Sequence, residues 1–144
     1  MPQLSDAVAD YYNRKKLAFY YVRRAQQPLH IIIGESEGWR HKVCLCNDTR
    51  ERHSVGYKIT DHDAGEVVLE GTADVEANEN LFLPALESLP GRKKLYLIEW
   101  EADGRRYGSH YINGFPPMDL TQYKGWLKAI SGLPEPFDAG ACFI

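Results

Sequence analysis

A series of turn signals recurs at short, regular intervals through the middle of the chain, and it constrains the fold more than any other feature. The signals lie at Asn47-Asp48, 63–65, Ala77-Asn78, Pro90-Gly91 and Asp103-Gly104. Asp-Gly between two alternating apolar runs is the strongest of them, because both residues tolerate the left-handed backbone of a two-residue hairpin. The intervals are too short for βαβ units, so the signals predict strands joined by compact connections.

Strand patterns occupy the segments between these turns. Each segment alternates apolar with polar residues or forms a short apolar run, as half-buried and fully buried strands do. Pro84 restricts one strand to a sheet edge or a strand end, and Gly71 favours a break in another. The segments are residues 29–33, 40–47, 54–60, 66–75, 79–86, 93–102 and 105–112. Seven such strands predict an all-β protein, an immunoglobulin-like β-sandwich.

One helix is predicted on each side of the strands. Residues 4–27 carry an apolar stripe at helical spacing, and Pro28 ends that segment. Residues 120–130 repeat the pattern after the capping residue Asp119 and before Gly132. The chain is thus divided into residues 1–27, a leading helix, and residues 28–144, the sandwich with its C-terminal helix and tail. The stripe of the first helix comprises Leu4, Ala7, Val8, Tyr11, Ala18, Val22 and Ala25.

The leading helix has more aromatic rings than one buried face can use. Leu17, Tyr20 and Tyr21 lie off the stripe, and Tyr12 flanks it. A helix that is apolar on more than one side is normally packed between two bodies. We therefore expect these four residues to form an interface with a body that precedes the chain. A second copy of the chain, joined through the exposed helix, is the other expected partner.

Charge and hydropathy exclude two classes of partner. The 144 residues include 17 basic and 20 acidic side chains, scattered along the sequence, for a net charge of -3. This balance argues against a nucleic-acid surface. No stretch approaches the roughly 20 apolar residues that cross a bilayer, and the first ten residues lack the pattern of a secretory signal.

The sequence offers no metal or cofactor site. Cys44 and Cys46 share a strand face, and with Cys142 they make an odd number, so packing is favoured over metal binding or a disulfide framework. Free thiols favour a cytoplasmic location. No glycine-rich loop opens a helix to hold a phosphate. The five histidines are dispersed without helical pairing: His30, His41, His53, His62 and His110.

Catalytic residues are not expected in this chain either. Ser109 and His110 are neighbours on a strand and point to opposite faces, so they do not form a nucleophile and base pair. Glu99 and Glu101 share one face opposite Trp100, which favours solvated carboxylates over an acid–base pair.

An exposed aromatic could instead bind sugar. Trp39, in the loop GESEGWRH, is the best candidate, since the C–H face of a sugar packs on an aromatic ring. The alternative is that Trp39 merely covers the end of a sheet. The sequence supplies no second aromatic tied to it.

Several stretches resemble the end of family-two glycoside hydrolases, particularly the β-mannosidase-like branch. DYYNRKKLAFYYVRRAQQP is similar to the segment that closes the catalytic barrel of that family. VCLCNDTRE, GYKITD, YLIEWEADG and SHYINGFPPMDLTQYKGWL resemble its C-terminal domain, and the last is the most specific. The matching residues of the first segment are Tyr11, Arg14, Lys15, Leu17, Ala18, Tyr21 and Arg24.

The resemblance implies an immunoglobulin-like, noncatalytic accessory domain that supports a barrel absent from this chain. The family's catalytic glutamates lie on barrel strands before residue 1, so no residue here inherits their role. The whole enzyme would be a retaining β-glycosidase. Two other functions stay open: a carbohydrate-binding module that uses Trp39, and an independent protein-interaction domain if Met1 is the true start.

Overall fold

A computed structural model of the protein, which describes residues 7–87 and 91–143, contains seven strands in two antiparallel sheets. One sheet has the order β1-β2-β5 and the other β4-β3-β6-β7. The predicted all-β sandwich is confirmed. The strands are β1 (Leu29–Glu37), β2 (Arg40–Asn47), β3 (His53–Asp61), β4 (Glu66–Val75), β5 (Glu79–Glu87), β6 (Lys94–Ala102) and β7 (Arg105–Asn113).

Two strands differ from the sequence prediction. β1 continues past Ile33 to Glu37, through a bulge between Ile33 and Ser36. The break expected at Gly71 is wrong, because β4 runs through that residue without interruption. The glycine has a packing role instead: a Cβ there would lie 2.8 Å from the hydroxyl oxygen of Tyr57 on the neighbouring strand. Pro84 lies on β5, an edge strand, as predicted.

The main core lies between the two sheets. Val43 and Leu45 of β2 face Val55 and Ile59 of β3, and all four are fully buried. Trp100 lies in this core, and its ring stacks on that of Tyr107 with 5.6 Å between centroids. The indole Nε1 of Trp100 donates to the backbone oxygen of Leu29 over 3.1 Å, which links the two sheets.

A helix covers the outer side of the four-stranded sheet and makes a third layer. This helix, α2 (Leu120–Ser131), places Trp126 and Ile130 against Leu95 of β6 in a second apolar cluster. The indole Nε1 of Trp126 donates to Oδ1 of Asp63 over 2.8 Å, so the β3–β4 turn also holds the helix. As predicted, the Asp119 carboxylate caps α2 by accepting from the backbone N–H of Gln122, and Gly132 ends it.

The N-terminal helix is much shorter than predicted. α1 spans Leu17–Ala25, and residues 7–16 form turns and a single bridge between Ala9 and Lys15. Asp10 explains the difference, because its carboxylate accepts from the backbone N–H groups of Tyr12 and Arg14 and so competes with helical hydrogen bonding. Asn13 adopts a positive φ of 61°, which a helix excludes. Leu4 lies outside the described residues.

The face that α1 turns toward the protein also differs from the prediction. Ala18, Val22 and Ala25, which were expected to be buried, are exposed. The inward face consists of Leu17, Tyr20, Tyr21 and Arg24, spaced as neighbours on one side of a helix. The chain therefore buries the side of α1 that contains a charged residue, and the small apolar side faces solvent.

A glycine in β7 is expected to be essential to the third layer. A Cβ on Gly108 would lie 2.7 Å from Cδ of Pro134 and 3.1 Å from Cβ of Leu133, so Gly108→Ala pushes the C-terminal segment off the sheet. We expect a loss of about 1–3 kcal/mol in the free energy of unfolding, measured by urea denaturation. Gly56→Ala is the matched control, since a Cβ there meets nothing within 4 Å. Equal denaturation midpoints for the two variants would contradict this packing.

Candidate functional site

A buried arginine fastens the N-terminal helix to the third layer. Arg24 is only 3% exposed. Its Nη1 donates to the backbone oxygen of Ile130 over 2.8 Å, near the C-terminus of α2, where partial negative charge accumulates. Its guanidinium lies 5.2 Å from the ring centroid of Phe137. Nη2 lies 3.3 Å from each of three further backbone oxygens, those of Leu133, Pro134 and Glu135.

Among the described residues the hydrogen bonds of the Arg24 guanidinium all go to backbone carbonyls and none to a carboxylate. Burial lowers the pKa of Arg24 from its ordinary value, while the nearby Tyr21 and Glu135 act in the opposite direction. An arginine nevertheless remains protonated in proteins. Its fork of donors therefore acts as a permanent cross-link between α1, α2 and the C-terminal segment.

A histidine of β7, His110, is half-buried beneath the same helix. The ring of His110 lies 4.5 Å from that of Tyr21, and the hydroxyl of Tyr21 is 3.1 Å from the hydroxyl of Tyr123. Nδ1 of His110 is buried without a hydrogen-bond partner among the described residues. Burial, with a smaller contribution from the charge of Arg24, lowers the pKa of His110 to about 4. The ring is therefore neutral at physiological pH.

The four residues predicted to form an interface lie in two environments. Leu17, Tyr20 and Tyr21 are half-buried against this chain, and the ring of Tyr20 stacks on Phe137 at 4.3 Å. Tyr12 is 74% exposed, in the segment before the helix. The interface itself stays a prediction, but the structure shows that the chain's own C-terminal segment already covers part of it. Two further exposed apolar side chains of this region are Tyr11 and Val22.

Trp39 lies at the tip of the β1–β2 hairpin. Gly38 and Trp39 have positive φ angles of 54° and 70°, the backbone of a two-residue turn that matches strand twist. Trp39 as a whole residue is 65% exposed. No other ring packs on it within the described part of the chain. The sugar contact predicted for Trp39 stays a prediction.

Of the two glutamates of β6, Glu99 is paired with two cations. Glu99 lies 3.5 Å from Nζ of Lys58 and 3.2 Å from Nη2 of Arg106, and Glu101 is exposed. These ion pairs lie on a solvent-accessible part of the outer face of the sheet, where such pairs contribute little to stability.

The two described cysteines are buried in β2. Their sulfur atoms are 3.7 Å apart. Burial first, and then the neighbouring Cys44, raise the pKa of the Cys46 thiol to about 12, so it stays protonated and is a poor metal ligand. Across residues 7–87 and 91–143, His, Cys, Asp and Glu side chains nowhere gather in threes suited to a metal ion.

A cavity of about 380 Å³ opens at one end of the sandwich, between the edge strands β4 and β5. At its polar side lie Asp61, Lys94 and Tyr96, from the inward faces of β3 and β6. Asp61 is 1% exposed, and its Oδ2 accepts from Nζ of Lys94. Its Oδ1 accepts from the backbone N–H groups of Asp63 and Ala64, each over 3.1 Å. The remaining lining residues are Val68, Ala85, Leu86 and Glu87.

The cavity's ionisable groups are shifted by their surroundings. Burial opposes ionisation of Asp61, but the hydrogen bonds from Lys94 and from the Ala64 and Asp63 backbone outweigh it, and the pKa of Asp61 is lowered. The hydrogen bond to Asp61 raises the pKa of Lys94. Burial raises the pKa of Tyr96. At neutral pH the cavity therefore holds a carboxylate, an ammonium group and a neutral phenol.

Sequence reasoning missed this cavity, although a signal was present. The inward positions of β3 read Val55, Tyr57, Ile59 and then Asp61. Those of β6 begin with Lys94 and continue as Tyr96, Ile98 and Trp100. An ionisable residue at an inward position of each strand marks a buried polar pair.

None of the helices in the described part of the chain has the length and apolarity that spanning a bilayer requires.

Comparison with known proteins finds a likeness of fold. No protein-family model matches the chain, and no curated protein sequence is detectably similar to it. A solved structure that resembles it is the β-D-mannosidase from Dictyoglomus thermophilum, with a TM-score of 0.54 and 21% sequence identity. The likeness covers 74% of this chain and 14% of the mannosidase chain. This chain thus has the fold of a small part of a much longer enzyme.

Arg24 is expected to contribute far more to the free energy of unfolding than its neighbour Arg23. Arg24→Lys keeps the charge but lacks the planar fork, so carbonyls at the end of α2 lose their donors. We expect a loss of about 1–3 kcal/mol in the free energy of unfolding. Arg23→Lys is the matched control, because the described contact of Arg23 is a surface ion pair with Glu135, and this change should alter stability by less than about 0.5 kcal/mol. Equal unfolding midpoints in urea would refute the cross-link.

His110 is expected to make the fold sensitive to acid. The folded-state pKa near 4 lies below the unfolded value of 6.5, so the unfolded chain binds an additional proton between these two pH values. Stability is therefore complete above pH 6.5 and falls by up to about 3 kcal/mol as the pH drops to 4. His110→Phe should remove this slope in denaturation measured across that range. His62→Phe, at an exposed histidine, should retain it; a slope unchanged in His110→Phe would contradict the assignment.

Proposed function

We propose that this chain is a noncatalytic accessory domain of a glycoside hydrolase that acts on β-linked sugars, and that it supports a catalytic barrel. The observation that carries the proposal is the fold likeness to a β-mannosidase, which takes in most of this chain and a small fraction of the other. A domain of such a size within a long enzyme suits a supporting role. The motifs that resemble the C-terminal domain of family-two enzymes point to the same function.

The attachment of α1 also supports this role. A domain that braces a preceding body needs a rigid connection, because a flexible one transmits no constraint. Here Arg24 fixes α1 to the C-terminal end of α2 and to the segment that follows it, and the ring of Tyr20 stacks on that of Phe137. The polypeptide therefore enters the sandwich along a fixed direction.

The interface with the barrel is proposed to involve the predicted residues together with their exposed neighbours. Tyr12, with Tyr11 and Val22, offers apolar surface that solvent reaches, whereas Tyr20 and Tyr21 are half-buried and offer less. Large exposed aromatic rings of this kind are typical of interface anchors. A second copy of the chain is the alternative partner for the same surface.

The size and activity of the native gene product test the proposal. An antibody raised against this chain should detect, in extracts of the source organism, a polypeptide several times heavier than 16.4 kDa. Depletion with that antibody should remove hydrolysis of aryl β-mannosides or aryl β-galactosides, whereas pre-immune serum should leave the activity in place. A product of 16.4 kDa that sediments alone or as a dimer, with no loss of activity on depletion, would overturn the accessory role.

A further inference from the structure

We propose that the cavity between β4 and β5 binds a neutral sugar residue, and that Trp39 stands beside its mouth where a second sugar residue of the same ligand would lie. This binding site goes beyond the accessory role and does not depend on it. The cavity falls within the volume range of roughly 300–1,000 Å³ that is typical of small-molecule sites. Such sites combine apolar walls with a few convergent polar groups.

The mixture of charges in the cavity selects the chemical class of the ligand. Lys94 has one described hydrogen bond, to Asp61, and an ammonium group has three donors. The Glu87 carboxylate can accept, and a phenol such as Tyr96 can do both. An anion would be repelled by Asp61 and Glu87, and a cation by Lys94. Hydroxyl groups, which both donate and accept, satisfy all of these side chains without bringing a charge.

The opposite wall of the cavity is apolar. Val68 of β4 and Ala85 and Leu86 of β5 line it, and Leu86 is 4% exposed. A pyranose ring has an apolar C–H face and hydroxyl groups along its edges. The C–H face can pack on these apolar side chains while the hydroxyl groups meet Lys94 and Tyr96. A wholly polar ligand would leave this wall in contact with water.

The polar groups are held in place before any ligand arrives. Two backbone N–H groups and Lys94 fix the Asp61 carboxylate. The ring of Tyr96 lies against that of His41, with 6.4 Å between centroids. His41 is fully buried, and its Nδ1 lies 2.8 Å from the backbone oxygen of Gly34. Groups fixed in this way lose little entropy when they bind.

The strand register brings Trp39 to the same end of the sandwich. Arg40, its neighbour in sequence, pairs with Glu87 across β2 and β5. Consecutive Cα atoms are about 3.8 Å apart and paired Cα atoms about 5 Å apart, so Trp39 lies within about 9 Å of Glu87, Cα to Cα. Because Trp39 as a residue is 65% exposed, a sugar that projects from the cavity can reach it.

Titration of the full chain with neutral glycosides tests the site. Methyl β-mannopyranoside and methyl β-galactopyranoside are added while amide resonances are followed by NMR, and β-1,4-mannobiose is compared by the same method. We expect saturable shifts that include the amides of residues 85–87 and 94–96, with a dissociation constant on the order of 1 mM. Trp39→Ala should weaken binding of the disaccharide and leave binding of the methyl glycosides unchanged.

Two variants locate the site without disturbing the core. Ala85→Phe fills the cavity from an exposed position and should abolish binding. Tyr96→Phe keeps the ring and removes the hydroxyl, and it should weaken binding about tenfold. Ala77→Phe is the matched control, since Ala77 is an exposed alanine in the β4–β5 turn at the opposite end of both strands.

Three results would overturn the inference. They are the absence of saturable shifts with every glycoside, binding that survives in Ala85→Phe, and shifts in the cavity produced by sodium phosphate or putrescine instead of by the glycosides. None of these results bears on the size or activity of the native gene product, so the accessory role would stand or fall separately.

Discussion

The rest of the structure depends on one strand, β6, being apolar on both of its faces. Tyr96, Ile98 and Trp100 point into the core between the sheets, while Leu95 and Leu97 point to the other side. A sandwich of two sheets covers only the first face. Leaving the second face in water would cost several kcal/mol of hydrophobic stabilisation, at about 25 cal/mol per Å² of apolar surface. The third layer is therefore a requirement of the strand.

The third layer in turn explains how α1 is held. Trp126 and Ile130 of α2 cover the outer face of β6, and the chain then doubles back through Leu133 and Phe137. This reversal leaves backbone carbonyls near the end of α2 that need donors. Arg24 supplies them from the far end of the sequence, more than 100 residues away. The N-terminal helix is thus a part of the fold, although its sequence also suits contact with another body.

The sequence was sufficient to predict the sandwich because turn chemistry and alternation are local. The Asp103-Gly104 turn, the capping of α2 by Asp119 and the edge position of Pro84 all depend on residues that are close in the chain, and the structure confirms each of them. The extent of α1 was wrong because its apolar stripe was counted through Asp10 and Asn13, whose side chain and backbone favour turns.

The orientation of α1 could not be predicted for a different reason. Hydropathy ranks Arg24 among the residues least suited to burial, and nothing near it in the sequence offers a carboxylate partner. Its partners are backbone carbonyls, and every residue carries one whatever its side chain. Only the path of the C-terminal segment decides where those carbonyls lie. A buried charge satisfied by backbone is therefore invisible to any reading of side-chain patterns.

The cavity follows from the way antiparallel strands alternate in direction. Because β1, β3, β5 and β7 run one way and the other three run back, the β1–β2 turn, the β3–β4 turn and the start of β6 all lie at one end. Trp39, Asp61, Glu87 and Lys94 belong to four separate stretches that this alternation gathers together. Their spacing in sequence exceeds 20 residues in most cases and has no motif. A binding site at the end of a sandwich is built from the ends of strands. Its sequence signature is therefore an ionisable residue at the end of a series of inward apolar residues. Here those residues are Asp61, at the last position of β3, and Lys94, at the first position of β6.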